Sequence, residues 1–296
     1  MLFTRGCQAL TAFTGEKQDK YCCPICENLY GYEDVEAGPL TSDHVPAKSR
    51  GGKELVLTCR SCNSYDGHAL NSEVLKREYI FDFEEALLGR RSIFSGRAKA
   101  QFGDQILNVH LSIKGETNVI DILADQNSPI NSEKVHAYFK SLIEEGKGEG
   151  ETFKIALSAQ AKAWMSDVGD LRTAYLAVFA LMGYTYALDT RLDKVRQQIR
   201  KPTEKIMNGF WSRVSVGESE RNVMGLLNEP FPLLLVQLGR SRILLPRFEG
   251  PLDTYERLDA IDRGRKPINL LGQSLRWPVQ SEFALDFKAK GNASIR

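Results

Sequence analysis

The sequence has little excess charge, no long apolar run and few cysteines, and each shortage excludes a class of protein. Its 39 basic and 38 acidic residues leave a net charge of +1, so bulk electrostatics does not mark a binder of polyanions. The longest apolar run, residues 174–188, contains Gly183 and Thr185 and is too short and too mixed to span a bilayer. The first residues lack the charged and apolar segments of a signal peptide. We therefore expect a soluble protein of the cytoplasm.

Several common catalytic motifs are also missing from the sequence. It contains no phosphate-binding loop, no glycine-rich dinucleotide fingerprint, no serine–histidine–aspartate arrangement and no internal repeat. The length of 296 residues is nevertheless enough for a sizeable core and about two domains. The function must therefore be sought in a local cluster of residues.

Four of the six cysteines form two Cys-x-x-Cys pairs within a short stretch. The pairs are Cys23 with Cys26 and Cys59 with Cys62. Two such pairs are a common ligand set of a tetrahedral structural zinc site, because each short turn presents two thiolates to one ion. Thiolates on zinc also fit a reducing cytoplasm better than a secreted disulfide framework does. Cys22 could replace Cys23 as a ligand, but the spacing favours Cys23, and we expect Cys22 and Cys7 to take no part.

The residues between and after the two pairs resemble the HNH endonuclease family. The resemblance is carried by Asp43-His44, the following Pro46, Ser49 and Gly51-Gly52, the predicted second strand at residues 55–58, and Asn63 and His68. It covers about residues 20–78, or about a quarter of the chain. The family builds a ββα-metal unit from a strand ending in Asp-His or Glu-His, a loop, a second strand and a helix. The resemblance therefore implies an N-terminal module of this fold.

The resemblance implies hydrolysis of DNA phosphodiester bonds with a divalent cation, and the residue types agree. Hydrolysis needs a base for water and a cation at the scissile phosphate. His44 suits the base because histidine titrates near neutral pH. Asp43 and Asn63 offer the hard oxygen ligands that Mg²⁺ or Mn²⁺ prefers, and His68 completes the predicted catalytic set. Because adjacent strand residues face opposite ways, Asp43 and His44 can act together only if the strand end is bent.

Two features depart from the family pattern. Glu54 stands where the family often has an asparagine that orients the loop of the catalytic histidine, so a tolerated change and an altered activity are both open. His68 follows Asn63 by five residues, about 140° around an ideal helix, which leaves both a metal or phosphate contact and a solvated position open. Asp66, three residues after Asn63, faces nearer to it and is a reserve ligand.

The rest of the chain predicts an α+β fold. The patterns predict β-hairpins at 107–123 and 233–245, an amphipathic helix at 131–146 and a very apolar helix at 171–188. We therefore expect a zinc-bound HNH module at residues 1–91 and a larger α+β domain at residues 92–296. The second domain is expected to serve in substrate selection, sensing or the formation of a homodimer.

Three further groups of residues leave a choice between function and ordinary structure. The first is an early basic cluster, which is either a solvated linker or a contact with phosphates: Arg90, Arg91, Arg97 and Lys99. The second is a helical stripe that is either solvated or faces phosphates: Arg191, Lys194, Gln198 and Lys201. The third is the aromatic set of the apolar helix, Tyr175, Phe179, Tyr184 and Tyr186, for which a buried core is favoured over a base-stacking platform.

Two functions stay open from the sequence. The first is a metal-dependent DNA endonuclease, for which the resemblance also suggests a part in bacterial defence against foreign DNA. The second is a zinc-ribbon nucleic-acid-binding or scaffold protein whose nuclease centre has decayed, with Glu54 as the visible change. The sequence does not distinguish DNA from RNA as the substrate.

Overall fold

The chain forms two compact units in a computed structural model. The structure describes residues 1–102, 104–117, 119–124, 129–146, 154–157, 159–213, 222–264 and 271–283, without the side chains of residues 65–67, 129–130 and 211–213. The discontinuous unit comprises Met1–Val74 and Ala163–Arg296, and the inserted unit comprises Leu75–Lys162. Neither junction coincides with the domain boundary expected at residues 91 and 92. Helices and sheets occur in both units, which confirms the α+β class.

The first part of the discontinuous unit contains two small hairpins followed by a helix. In chain order its elements are α1 (Leu2–Thr14), β1 (Tyr21–Cys22), β2 (Leu29–Tyr30), α2 (Glu33–Ala37), β3 (Leu40–Val45), a 3₁₀ turn (Lys48–Arg50), β4 (Lys53–Cys59), a π-helical turn (Ser61–Tyr65) and the first part of α3 (Asp66–Leu87), whose residues from Leu75 belong to the inserted unit. β1 pairs antiparallel with β2, and β3 pairs antiparallel with β4. The predicted order of strand, loop, strand and helix around the motif is therefore confirmed.

The inserted unit contains a four-stranded antiparallel sheet. Its further elements are β5 (Ile93–Phe102), β6 (Gln105–Lys114), β7 (Val119–Ala124), α4 (Pro129–Glu144) and β8 (Lys154–Leu157), and the strand order is β7-β6-β5-β8. The predicted hairpin and amphipathic helix are confirmed. β5 was not predicted, because its exposed basic residues favoured a linker.

The second part of the discontinuous unit adds a five-stranded antiparallel sheet and four helices. Its elements are α5 (Ala163–Met182), α6 (Tyr184–Ala187), a 3₁₀ turn (Thr190–Leu192), α7 (Asp193–Arg200), β9 (Trp211–Arg213), β10 (Val223–Leu227), β11 (Leu233–Leu238), β12 (Ser241–Pro246), α8 (Thr254–Arg263) and β13 (Gly272–Leu275). The sheet order is β13-β10-β11-β12-β9, and its β11–β12 pair is the second predicted hairpin. The predicted helix at 171–188 is broken at Gly183, whose φ of 71° is left-handed.

Helix α5 forms the core of the discontinuous unit. Every residue from Ser166 to Met182 is buried, and the helix contacts β3 and β4 on one side and β11 and β12 on another. A helix buried on all sides can be apolar all round. Tyr175 and Tyr184 are buried in this core, so the core interpretation of the aromatic set is confirmed. Although α5 is very apolar, no helix in the described part of the chain is long and apolar enough to cross a membrane.

One member of the helical stripe along α7 is buried and faces neither solvent nor phosphate. Gln198 is fully buried, and its Nε2 donates to the carbonyls of Lys201 and Glu204 at 3.2 and 2.7 Å. Lys194 forms an ion pair with Glu256, and Lys201 forms one with Glu204 at 3.2 Å. The phosphate interpretation of this stripe is therefore wrong for Gln198, whose side chain is hydrogen-bonded to the backbone that follows α7.

Candidate functional site

The four predicted zinc ligands lie together. Cys23 and Cys26 lie in the turn between β1 and β2, Cys59 ends β4, and Cys62 lies in the π-helical turn. Their sulfur atoms all lie within 4.8 Å of one another, and the Cys26 and Cys59 sulfurs are 3.6 Å apart. Sulfurs bound tetrahedrally at about 2.3 Å from zinc lie about 3.8 Å apart. Among the described residues this is the one group of three or more cysteine, histidine or acidic side chains close enough to hold a metal, and its dimensions suit zinc.

Hydrogen bonds among the four thiols give them different proton affinities. Bonds with Cys23, Cys26 and Cys62 hold the pKa of Cys59 far below its usual range. The bond between Cys26 and Cys23 lowers the pKa of Cys26 to about 7, whereas bonds with Cys23, Cys26 and Cys59 raise the pKa of Cys62. Four thiolates whose sulfur atoms lie within 4.8 Å of one another would repel each other. Full deprotonation of the cluster therefore calls for a bound cation, which a metal ion supplies.

Cys22 stays outside the cluster, as its spacing predicted. Its Sγ lies 3.4 Å from the carbonyl oxygen of Glu27, and burial raises the pKa of Cys22 to about 12. Burial also raises the pKa of Cys7, on α1. Buried thiols of this kind are weak ligands and weak nucleophiles, because the thiolate is the reactive form. Neither cysteine is a functional candidate.

Three buried tyrosines hold the cysteine turn in place. Tyr184 donates a hydrogen bond to the carbonyl of Cys22, Tyr175 donates one to the carbonyl of Pro24, and Tyr21 donates one to a β4 carbonyl at 2.9 Å. Burial raises the pKa of each phenol above its usual range, so each stays a donor. These hydrogen bonds therefore connect the cysteine turn to β4, α5 and α6.

Strand β3 is bent between Asp43 and His44. Asp43 pairs with Val56 of β4, whereas His44 pairs with Glu54, so Leu55 is an extra residue in the ladder. A β-bulge of this kind bends the strand and increases its twist. Asp43 is buried, and the side chain of His44 is 28% exposed. Strand β3 is therefore bent at the place where a bend was required for Asp43 and His44 to act together.

The loop that follows His44 leaves no room for a side chain at Gly52. A Cβ there would lie 1.5 Å from the carbonyl oxygen of Pro46. We predict that Gly52→Ala lowers stability by about 1–3 kcal/mol, as overpacking does, and that calorimetry shows a lower midpoint of thermal unfolding. Gly51→Ala is the comparison, because its Cβ would meet nothing within 4 Å and only its φ of 75° opposes the change. Equal midpoints for wild type and Gly52→Ala would contradict this contact.

The side chain of Asp43 is buried and hydrogen-bonded to two other side chains. Its Oδ2 accepts hydrogen bonds from Thr58 Oγ1 at 2.9 Å and from Arg172 Nη2 of α5. The same guanidinium nitrogen donates to the carbonyl of Cys62 at 3.2 Å. The side chains of Arg172 and Asp43 are only 4% and 6% exposed. The oxygen predicted to bind a catalytic cation thus binds an arginine, and Arg172 is a site residue that the sequence analysis missed.

Opposite charges inside the apolar α5 were the signal that could have revealed Arg172. Asp170, two residues earlier, accepts a hydrogen bond from Arg50 at 3.2 Å. Arg172 of α5 therefore pairs with Asp43 of β3, and Arg50 of the loop after β3 pairs with Asp170 of α5. Buried arginine and aspartate are rare unless paired, so two such residues in an apolar helix predict partners elsewhere in the chain.

Asn63 contacts β3 from the start of the helix. Its Nδ2 donates to Thr41 Oγ1 at 2.9 Å and to the carbonyl of Ser42 at 3.0 Å. Ser42 precedes Asp43 in the strand, so Asn63 contacts β3 at the two residues before Asp43. The two N–H groups of the amide are used by β3, and its oxygen is the atom with ligand chemistry.

His44 and Glu54 face each other across the hairpin. His44 Nε2 lies 3.9 Å from Glu54 Oε1, which is longer than a hydrogen bond. Glu54, which differs from the family pattern, therefore places a carboxylate near His44, the predicted base. His68 is exposed on α3, whereas the side chain of Asp66 lies outside the described part of the chain.

Comparison of this chain with protein-family models, curated proteins and solved structures gives no significant match. The HNH resemblance therefore depends on the motif residues themselves and on the hairpin–helix geometry around them. That geometry combines a four-cysteine cluster, a partly exposed imidazole, an amide and a buried carboxylate paired with a guanidinium. Such a set has the chemistry to bind a cation and to accept a proton.

Proposed function

We propose that the chain is a metal-dependent endonuclease of the HNH type that hydrolyses phosphodiester bonds in DNA. The observation that carries the proposal is the hydrogen bond from Asn63 to the Ser42 carbonyl, beside Asp43. This bond joins the start of the helix to the bent part of β3, where His44 is partly exposed. In this proposal β3 supplies the base and the carboxylate, and the start of the helix supplies the amide.

The residues present suit a divalent cation. A cationic nitrogen of Arg172 already contacts Asp43 Oδ2 and the carbonyl of Cys62, so this position attracts positive charge. Carboxylate and amide oxygens are ligands that Mg²⁺ and Mn²⁺ prefer. Asp43 and Asn63 would hold one of these ions if the guanidinium of Arg172 left Asp43 Oδ2, and the bound ion would supply electrostatic stabilisation of the charge on the phosphate.

His44 is the proposed general base. Its partly exposed imidazole accepts a proton from the water molecule that attacks the phosphorus. The carboxylate of Glu54, across the hairpin, is placed to influence the orientation of the ring. Cys59 and Cys62 bracket the junction between β4 and the helix, so a zinc ion on them would fix Asn63 relative to β3. Such fixed positions lower the entropic cost of reaching the transition state.

The test of this proposal is cleavage of supercoiled plasmid. The purified protein is expected to nick it when Mg²⁺ or Mn²⁺ is added, and His44→Ala is expected to lower the rate by at least about 100-fold. His136→Ala, an exposed histidine on α4, is the matched control and should keep the wild-type rate. Equal rates of cleavage by His44→Ala and wild type would contradict the assignment of His44 as the general base. Labelled RNA run in parallel distinguishes the two nucleic acids.

A zinc-clamped nucleic-acid-binding protein with a decayed nuclease centre is the second candidate. The ion pair between Asp43 and Arg172 favours it, because the charge of the carboxylate is compensated within the fold. For this candidate, wild type and His44→Ala bind labelled DNA equally and neither cuts it with any divalent ion. That outcome would contradict the endonuclease.

A further inference from the structure

The last described residues, 277–283, lie against the core of the discontinuous unit, and we name them the C-terminal strap. Phe283 is buried in that core, and its backbone N–H donates to the carbonyl of Ala180 on α5 at 3.1 Å. Arg5 of α1 donates from Nη1 to the carbonyl of Ser281 at 3.0 Å. Contacts with two helices therefore fix the backbone of the strap around Ser281.

The side chain of Ser281 contacts the β-bulge of the β3–β4 hairpin. Ser281 is buried, and its hydroxyl donates a hydrogen bond to the carbonyl of Leu55 in β4. Leu55 is the residue of β4 that has no partner in β3, and only 1% of it is exposed. A buried carbonyl without a hydrogen bond is costly, so a carbonyl at a bulge calls for a partner from elsewhere in the fold. Ser281, 226 positions later in the chain, is such a partner.

The bulge at Leu55 decides the direction of the His44 side chain. The register of β3 on β4 shifts there, between Asp43 and His44. Because strand side chains alternate between two faces, a one-residue shift of register turns a side chain to the opposite face. The hydrogen bond from Ser281 fixes Leu55 relative to α1 and α5, so it opposes loss of the bulge. The orientation of His44 therefore depends on a contact from the C-terminal strap.

We propose that Ser281 is a positioning residue for His44, the general base of the proposed endonuclease. This inference rests on the proposed function, because proton transfer from water needs the base within hydrogen-bond reach of that water. The Ser281 hydroxyl holds the bulge, and the bulge holds the imidazole in its orientation. Cys59, a member of the cysteine cluster, ends β4, so the cluster and the strap act on this strand at two separate places.

The test compares Ser281→Thr with Ser281→Val in the full-length protein. The two variants have nearly the same shape and differ by the hydroxyl, so the comparison cancels the effect of the larger side chain. In plasmid nicking with Mg²⁺ or Mn²⁺, Ser281→Val is expected to have a kcat at least about tenfold below that of Ser281→Thr, with KM within about twofold. The value of KM should be kept because the change moves the base and leaves the DNA-binding surface intact.

Thr254→Val is the matched control for loss of a buried hydroxyl. Thr254, on α8, is buried in the same unit, and its hydroxyl donates to the carbonyl of Pro251 at 2.6 Å. This variant should have a lower midpoint of thermal unfolding, as Ser281→Val should, but it should keep the wild-type kcat. An equal loss of kcat in Thr254→Val and Ser281→Val would show that the effect is general destabilisation and would overturn the proposal.

A second measurement reads the position of His44 without cleavage. The NMR signals of the His44 ring are expected to shift between Ser281→Thr and Ser281→Val, whereas those of His136, on α4, should stay in place. Unmoved His44 signals, or equal kcat values in the two variants, overturn the inference. If wild type cuts no DNA, the proposed function fails, and the ring signals alone decide whether Ser281 positions His44. Ser281→Ala, which adds no atoms, takes the place of Ser281→Val if circular dichroism shows that the valine variant is unfolded.

Discussion

Replacement of Cys59 by serine is expected to abolish zinc binding and to unfold the segment from β1 to the start of the helix. Cys59 links the two halves of the cluster, because its sulfur lies 3.6 Å from that of Cys26 and its N–H donates to the sulfur of Cys23. A structural zinc ion contributes on the order of 10 kcal/mol in small metal-bound folds, which is comparable to the whole stability of a domain. The measurements are the zinc content of each chain and the midpoint of thermal unfolding.

Cys22→Ser is the matched control for this change. Cys22 is also buried and lies next to a ligand, but its sulfur is not part of the cluster. It should keep one zinc ion per chain and lose only local packing. Protons compete with zinc for the four thiolates, so wild-type protein should also release the ion as the pH falls. Retention of a full complement of zinc by Cys59→Ser would show that the four sulfurs do not form the site.

Arg172→Met is expected to lower stability by about 3–5 kcal/mol when no divalent cation is present. The change leaves Asp43 buried with an uncompensated negative charge, and breaking a buried ion pair from one side has this cost. Added Mg²⁺ should restore part of the loss, because the ion no longer competes with the guanidinium for Asp43 Oδ2. The expected readout is therefore a larger rise of the unfolding midpoint with Mg²⁺ in Arg172→Met than in wild type.

Arg50→Met provides the control for the loss of an ion pair on the same helix. This change removes the arginine that pairs with Asp170 but leaves the ion pair of Asp43 intact. Mg²⁺ should therefore stabilise Arg50→Met no more than it stabilises wild type. The double change Asp43→Asn and Arg172→Met removes both charges and should recover stability but lose the response to Mg²⁺. A response that is equal in Arg172→Met and Arg50→Met would favour the decayed nuclease centre.

The sequence was sufficient to predict the parts of the site that depend on short spacing. The two cysteine pairs, the strands on either side of Gly52 and the position of Asn63 at the helix start all follow from residues close together in the chain. Turn chemistry and strand alternation act over a few residues, so they leave readable patterns. The four sulfurs of these pairs lie close enough together to hold one metal ion, as their spacing predicted.

The partner of Asp43 could not be predicted in this way. Arg172 is 129 positions away in the chain, and the few charged residues of the apolar helix form no periodic pattern that names their partners. Strand β5 was missed for a different reason. Its exposed positions carry Arg97 and Lys99, and the charge of these residues obscured the alternation with the buried Phe94, Ala98 and Ala100. Both failures concern residues whose environment is decided by tertiary packing.

The division of the discontinuous unit along the chain has a consequence for its synthesis. A ribosome makes all four cysteines and both strands of the β3–β4 hairpin before it makes the inserted unit, and α5 emerges only after that unit. Until then the hairpin lacks the helix whose Arg172 and Tyr175 contact it and its cysteine turn. A metal ion bound to the four thiolates would therefore stabilise the nascent hairpin before α5 has been translated.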